Sequence, residues 1–584
     1  MNLSTIDWII IVFFFAITML IGLWTSRKAG KSAQDFFLSG REMPWWLLGV
    51  SMVATTFSAD TPNLVTDIVR NNGVAGNWVW WAFLLTGMTT VFIYAKLWRR
   101  SGISTDLEFY ELRYSGKAAS FLRGFRALYL GVFFNVMIMA TVLLAGIKIA
   151  GIMLGISPVQ TILLISLVTV IYSSLGGLRG VILTDFFQFL LSMAGMVIAA
   201  IYIINLPEIG GLDQLVNHPE VATKKKFLPD FTDPNVAVPI FFIPLAVQWW
   251  SSWYPGAEPG GGGYVAQRML AAKNEKEATK ATLLFNVAHY ALRPWPWILI
   301  ALASLIIFPD LESVKRAFPS ISDDILAHDL AFPAMLTLLP KGLLGIVIAS
   351  LIAALMSTIS THLNWGASYL VNDFFVRFIN PHATEKEKVL IGRIGTVGLM
   401  LLSAIFALYL TNAFQAFNIL LQIGAGTGLL FLMRWFWWRI NAYSEIVAML
   451  ISLLIAIYFE IFYSGDLEAY QRLSIGVIIT TIIWITVTWI TRPTDMNVLK
   501  SFYIKIQPHD SGWRTVSKSL DNISFQKNDT SFTNELLMVF VSCSLVYSAL
   551  FGIGFWMYGK ILFALLCLAI VIFSILALFK LWKL

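Results

Sequence analysis

Apolar stretches of about 20 residues alternate with short polar loops along nearly the whole chain. Fifteen such stretches occur, at 6–25, 44–69, 77–97, 125–154, 158–175, 181–206, 238–259, 281–308, 334–375, 389–411, 415–433, 443–463, 473–491, 535–556 and 560–580. They are numbered here as spans 0 to 14. A helix crossing a hydrocarbon core of about 30 Å needs about 20 apolar residues. The pattern therefore predicts an all-α polytopic membrane protein of about 15 spans. The first stretch lacks a basic lead and is too long for a cleavable signal. Two spans depart from the pattern. Span 1 runs Ser51-Met-Val-Ala54-Thr-Thr-Phe57-Ser-Ala-Asp60-Thr61-Pro62-Asn63, polar at mid-membrane depth. Span 6 runs Trp249-Trp250-Ser-Ser-Trp253-Tyr254-Pro255-Gly-Ala-Glu258-Pro259 and then Gly260 to Gly263. Proline removes a backbone hydrogen bond and glycine weakens a helix interior. Irregular backbone survives in a bilayer only inside protein or along a cavity. The simpler alternative is that Pro62 and Pro255 only kink their helices. Span 6 lies five helices after span 1, and five is odd, so two successive sets of five would be inverted copies. Broken helices at matching places of inverted halves point to the binding site of a secondary transporter.

Composition agrees. Of 584 residues, 58% are hydrophobic and 13% charged, with 22 Trp and 43 Phe. That is about half the charge of soluble domains. The two cysteines, Cys543 and Cys567, both lie in apolar runs, which supports neither a disulfide framework nor a structural zinc site. The net charge of +7 would invite nucleic acid, but its distribution assigns it to topology. With the N-terminus outside, 30 of the 41 basic residues fall on inside loops and 9 on outside loops, leaving Lys148 and Arg293 within spans. This is the positive-inside pattern. It places the C-terminus and the polar loop at about 492–534 in the cytoplasm of a plasma-membrane protein.

Four motifs then carry a resemblance. They are Asp35-Phe-Phe-Leu-Ser-Gly-Arg41 with Pro44-Trp-Trp46; Gly176-Gly-Leu-Arg-Gly-Val-Ile-Leu-Thr-Asp185; Gln267-Arg268-Met-Leu-Ala-Ala-Lys273; and Leu339-Pro-Lys-Gly-Leu-Leu-Gly345 followed by Ala354-Leu-Met-Ser357-Thr358. In this order, over residues 30–440, they resemble the sodium:solute symporter family of sodium–proline, sodium–sugar and sodium–sialic acid transporters. The resemblance implies a leucine-transporter-like 5+5 inverted-repeat core with one N-terminal and about four C-terminal extra helices. The corresponding division is 1–43 (extra helix and first cytoplasmic loop), 44–206 (repeat 1), 207–237 (extracellular loop), 238–440 (repeat 2) and 441–584 (extra helices).

Oxygen ligands suit Na⁺, a hard cation. On span 8, spacings of three and four residues line up Ala354, Ser357, Thr358 and Thr361 on one face. The resemblance implies one Na⁺ on the carbonyls of Ala54, Phe57 and Ala354 and the hydroxyls of Ser357 and Thr358. It implies a second on Asp185, Ser357, Ser360 and Thr361. A carboxylate within a span is costly and usually functional; the alternative is that Asp185 caps the start of span 5. For the hydroxyls the alternative is back-bonding to the preceding turn.

The breaks predict a midplane cavity among spans 1, 3, 6, 7 and 10. Substrate-binding candidates are Asp60, Thr61 and Asn63 on span 1, Gln248, Tyr254 and Glu258 on span 6, Arg293 on span 7, and Gln415, Asn418 and Gln422 on span 10. For Arg293 the alternative is a salt bridge to Asp60 or Glu258. Lys148 is expected to snorkel, and His289 and His362 to be satisfied interior histidines. Sugar members carry an Asn-Gln pair where this chain has Gly262-Gly263. The expected function is Na⁺-coupled symport of a small polar organic solute (sugar, amino acid or carboxylate class) into the cell by alternating access. Na⁺ is the expected coupling ion. The expected partners are the solute, Na⁺ and lipid, with no nucleic acid and no obligate protein partner. The alternatives are a non-transporting solute sensor on the same scaffold and a membrane enzyme, for which no nucleophile or metal constellation speaks.

Overall fold

The computed structural model describes residues 3–251, 258–319, 326–410, 423–520 and 531–582. Apart from one isolated bridge between Met43 and Ala272, the described residues form helices, turns and loops. In chain order the helices used below are α1 (Thr5–Ala29), α2 (Trp45–Thr56), α3 (Asp60–Asn72), α4 (Val74–Ser101), α5 (Gly116–Gly151), α6 (Pro158–Ile204) and α7 (Pro234–Trp250). There follow α8 (Gly263–Ala271), α9 (Glu275–Ile307), α10 (Leu343–Ile379), α11 (Glu385–Tyr409), α12 (Ala442–Phe462), α13 (Ala469–Ile490), α14 (Met496–Ile506), α15 (Phe532–Met557) and α16 (Ile561–Leu581).

Eleven of these are long and apolar enough to cross a membrane. One, α6, carries two of the expected spans. As a straight helix its 47 residues would reach about 70 Å, more than twice a bilayer core. The chain turns at Gly177, whose φ of 53° and ψ of −161° belong to a region open essentially to glycine alone. A Cβ there would also sit 2.7 Å from the Phe36 carbonyl oxygen. Span 1 is present as two short helices, α2 and α3; of span 6, α7 covers the first part, residues 252–257 lie outside the described residues, and α8 begins just beyond its end. Of span 10, residues 411–422 lie outside the described residues, and Gly428–Met433 is helical.

Helices α9 and α10 are buried along most of their length, whereas α16 presents Leu562, Phe563, Phe573, Leu576 and Phe579 outward. Large apolar side chains facing out along a whole helix are what lipid requires. The centre is built by α10 packing on α6, α1 and α11. Asp7 pins α1 to it: the fully buried carboxylate accepts from the backbone N–H of Gly342 (2.7 Å) and Gly345 (2.8 Å) at the start of α10. A negative group there is stabilised by the unpaired N–H groups of the helix N-terminus.

Candidate functional site

Helix α2 ends because Phe57 leaves the helical region (φ −89°, ψ 71°), its N–H shared between the carbonyls of Val53 (2.9 Å) and Ala54 (3.0 Å). Residues 57–59 are non-helical, and α3 begins at Asp60. Neither piece alone, at 12 and 13 residues, spans about 30 Å. The break therefore lies inside the protein, with Phe57 buried against Trp297 (ring centroids 4.9 Å apart).

Helix α10 meets this break through hydroxyls. Thr358 Oγ1 donates to the Thr55 carbonyl (2.8 Å) and to the Ala354 carbonyl (3.2 Å). The side chains of Ala54, Phe57, Ala354, Ser357 and Thr358 are all buried. Thr55, absent from the sequence reading, supplies the carbonyl that Thr358 reaches. Ser357 turns the other way and donates to Asp185 Oδ1 (2.7 Å).

Asp185 lies on the second arm of α6 and joins Ser357 to Ser51, whose hydroxyl donates to Oδ2 (2.5 Å). The same carboxylate faces Arg268 of α8, 3.6 Å from Oδ2, with both side chains fully buried. Arg268 also donates to Thr361 Oγ1 (2.7 Å), Ser51 Oγ (3.2 Å) and Gln267 Oε1 (2.9 Å). Thr361 in turn shares a hydrogen bond with Thr55 (3.0 Å), while Ser360 donates back to the Ser357 carbonyl (3.0 Å). Asp185 and Thr361 thus meet through the Arg268 guanidinium, Ser357 joins them through Asp185, and Ser360 bonds back within α10. Sequence reading counted Arg268 as a loop charge. Its place directly after Gln267 inside a motif was the available signal.

The third group surrounds Arg293. A π-turn over Ala288–Leu292, closed by Arg293 N–H to the Ala288 carbonyl (3.1 Å), precedes Pro294, which can offer no N–H of its own. Such turns often mark functional sites. The turn aims Arg293 Nη2 at His289 Nε2 (3.1 Å), and Nη1 donates to the Thr56 hydroxyl (2.9 Å) and carbonyl (2.5 Å). His289 Nδ1 meets the Thr56 hydroxyl at 2.9 Å. The guanidinium lies 5.0 Å from the Trp297 ring centroid. Among the described residues Arg293 closes no salt bridge with Asp60 or Glu258. Among the described residues, Asp60 Oδ1, Asn63 Oδ1 and Arg293 Nε are buried with no hydrogen-bond partner. Buried polar atoms are satisfied in the large majority of cases, which makes these three candidates for contact with a polar guest. Thr61 Oγ1 donates to the Thr56 carbonyl (3.3 Å).

The remaining candidates fall elsewhere. Gln248 donates to the Val79 carbonyl (2.7 Å), fastening the end of α7 to α4. Glu258 pairs with Arg126 and Arg434 rather than joining Arg293. Lys148 reaches Asp329 (3.4 Å), and His362 Nδ1 meets Asn135 Oδ1 (2.6 Å). Tyr254, Gln415, Asn418 and Gln422 lie outside the described residues.

A buried helix broken midway and faced by a hydroxyl-bearing helix is secondary-transporter architecture. The model of the sodium:solute symporter family matches residues 36–452, and the chain belongs to that family. It is therefore a multi-pass membrane protein and a sodium-coupled solute symporter, with Na⁺ as coupling ion. It is 26% identical to the sodium/glucose cotransporter of Vibrio parahaemolyticus over 79% of this chain and 86% of that protein. It is also 26% identical to the sodium/sialic acid symporter SiaT of Proteus mirabilis over 77% of this chain and 88% of that protein. The sodium/mannose cotransporter of Bos taurus is 26% identical over 68% of each chain. A solved substrate-bound, outward-open Na⁺-coupled sialic acid symporter shares the fold, with a TM-score of 0.67 at 22% identity, covering 85% of this chain and all of that one. The sensor alternative finds no support among these relatives, which are transporters.

Proposed function

We propose that the chain carries a hydroxyl-bearing polar solute, of the sugar or sugar-acid class, inward with Na⁺ by alternating access. The observation that carries this is a set of three buried atoms unpaired among the described residues, two on α3 and one on Arg293, which reaches the end of α2 through Thr56. Asp60 and Asn63 offer acceptors and Arg293 Nε offers a donor. A solute that answers all three must both donate and accept, as a polyol or its carboxylate does. Its opposed charges, Asp60 and Arg293, demand no net charge of the guest. The sugar and sialic acid relatives agree with this class.

The first Na⁺ is assigned to the carbonyls of Ala54, Phe57 and Ala354 and the hydroxyls of Ser357 and Thr358. All five ligands are neutral oxygens, so uptake follows a Na⁺ gradient and not a pH gradient. A second Na⁺ is assigned to Asp185, Ser357, Ser360 and Thr361, entering when Arg268 withdraws, since the Arg268 guanidinium stands between Asp185 and Thr361. At 100 mV each Na⁺ gains about 2.3 kcal/mol, and a tenfold gradient adds about 1.4 kcal/mol. Two ions then sustain roughly 10⁵-fold accumulation, and one ion roughly 500-fold. The finer architecture belongs to the same proposal: fifteen spans, inverted repeats over 44–206 and 238–440, N-terminus outside and C-terminus in the cytoplasm. The test is uptake of labelled sugars and sialic acids into proteoliposomes under Na⁺ or choline gradients. Na⁺-dependent uptake of one of them is expected; equal uptake in both media refutes the proposal.

A further inference from the structure

Glu258 lies at the end of span 6, five residues before α8, and is nearly fully buried. One carboxylate oxygen pairs with Arg126 near the start of α5, and the other lies 3.6 Å from Arg434, at the end of span 10. Arg434 also lies 3.6 Å from Glu445 of α12. Two carboxylates and two guanidiniums thus balance in a closed pocket. Both guanidiniums face the Phe431 ring, at 5.1 Å (Arg126) and 4.9 Å (Arg434). A buried pair is stable only as a pair, because losing one partner leaves an uncompensated charge.

A second layer lies outside the region that the family model matches. Helix α14 and the turn through Trp513 form a strap over this pocket. Phe502 and Trp513 cover the guanidinium of Arg113, with ring centroids 5.3 and 4.7 Å away. Burial pulls that group down to about 10, so it stays charged at neutral pH. Arg113 donates to the carbonyls of Arg434, Trp437 and Trp438, each at 3.1 Å. Trp513 Nε1 donates to the Trp435 carbonyl (2.9 Å). Arg100 of α4 donates to the Ile506 carbonyl (2.8 Å). The strap therefore grips α4 on one side and the segment bearing Arg434 on the other.

We propose that Glu258 is the latch of the inner gate, holding the broken span 6 against spans 3 and 10, and that residues 495–517 brace this latch through Arg113. This rests on the alternating-access reading and on the orientation proposed with it. Opening inward separates Glu258 from Arg126 and Arg434 and loosens the strap from α4. The latch is a positioning device: it sets which side is open, not which solute binds.

The test reads distance without needing a solute. Spin labels at Lys117, nine residues before Arg126 on α5, and Lys273, just after α8, both exposed, are placed in full-length Cys543→Ser/Cys567→Ser protein in nanodiscs. Pulsed electron resonance should give a single short distance in the otherwise unaltered chain. Glu258→Gln should move most of the population to a longer distance and raise the KM for external solute about tenfold, as depopulation of the outward-facing state requires. Glu258→Asp should restore the short distance, which a merely destabilised fold would not do. Trp513→Ala should lengthen the distance in a smaller fraction. Glu258→Gln with unaltered distances overturns the latch, and Trp513→Ala with unaltered distances overturns the brace. If Glu258→Gln does not assemble, Arg126→Lys, which keeps charge but loses the planar contact, carries the same reading. Failure of the transport proposal would show separately, as absent uptake by the unaltered chain.

Discussion

Replacing Arg268 by Gln separates the two roles given to the Asp185 pocket. The guanidinium and carboxylate are 3.6 Å apart and fully buried. At an effective dielectric of about 20, such a pair attracts by about 5 kcal/mol. Desolvating both charges offsets much of that, but removing one partner alone typically costs about 3–5 kcal/mol. Asp185 would keep the hydroxyls of Ser51 and Ser357, which places the expected loss near the lower end, about 3 kcal/mol. If Na⁺ shares this pocket, it replaces the missing positive charge. At a hundredfold excess over its dissociation constant it returns about 2.7 kcal/mol, nearly the whole loss. The assay is tryptophan fluorescence during thermal unfolding in choline and in rising Na⁺. Arg268→Gln should melt well below the unaltered chain in choline, and the gap should close as Na⁺ rises. Asp185→Asn should melt low in both media and lower the Hill coefficient for Na⁺ from two towards one. The double variant should be more stable than either single one, since no charge is then left alone. A gap that is independent of Na⁺ refutes the shared pocket.

Three further outcomes are expected. Ser357→Ala and Thr358→Val should each raise the Na⁺ concentration for half-maximal uptake several-fold, by removing one oxygen from a partly desolvated ion; unaltered Na⁺ dependence in both would remove the first site. Gly177→Ala should cost about 2 kcal/mol or more, because alanine rarely adopts that backbone conformation and its Cβ would press on the Phe36 carbonyl; recovery of folded protein by fluorescence-detected gel filtration measures this. His328, in the loop before α10, accepts from Arg70 Nε (3.1 Å), and burial followed by Arg70 and Lys224 holds its pKa below the usual value, with Asp329 opposing. The unfolded chain then binds the proton first, so this contribution to stability is complete above about pH 6.5 and is lost as pH falls below it. Melting in a pH series from 7.5 to 5, compared with His328→Gln, checks the sign.

Hydropathy made most helices legible, because a lipid-facing helix must be apolar along a fixed length whatever its neighbours are. The breaks were legible for a similar reason: Pro62, Asn63 and the glycines before Tyr264 have no stable place in an unbroken membrane helix. Pairing was not legible. Arg268 belongs to a short local sequence compatible with a loop, and only the packing of α8 between α2 and α10 turns it inward; the partners of Glu258, Arg126 and Arg434, lie far from it in the chain. Thr55 escaped notice because both its carbonyl and its hydroxyl find partners on a helix about 300 residues further along the chain, a pairing that appears only on folding. The bend at Gly177 shows the opposite case. The glycine pair was visible, but its need for a positive φ and for close approach to Phe36 appears only once α6 is folded.

The two guanidiniums explain why the polar pockets remain distinct although they share α2. Ser51 and Thr55, four residues apart, face Asp185 and Thr361. Thr56, one residue on, faces His289 and Arg293. A helix turns about 100° per residue, so consecutive residues at the end of α2 present one hydroxyl to the proposed ion side and the next to the proposed solute side. The carbonyl of Thr55 is engaged by Thr358 and that of Thr56 by Arg293. An ion drawing on the carbonyls of this last turn therefore pulls on the same peptide units that position Arg293. Coupling between Na⁺ and solute needs no longer path than this: ordering the end of α2 for one ligand pre-forms the acceptor that orients the guanidinium for the other. Thr56→Val should expose the link. It keeps the carbonyl but removes the hydroxyl that bridges His289 and Arg293. Na⁺ binding measured without solute should stay near its unaltered value, while the dependence of solute affinity on Na⁺ weakens. If the two affinities remain as strongly coupled as in the unaltered chain, the link does not run through Thr56.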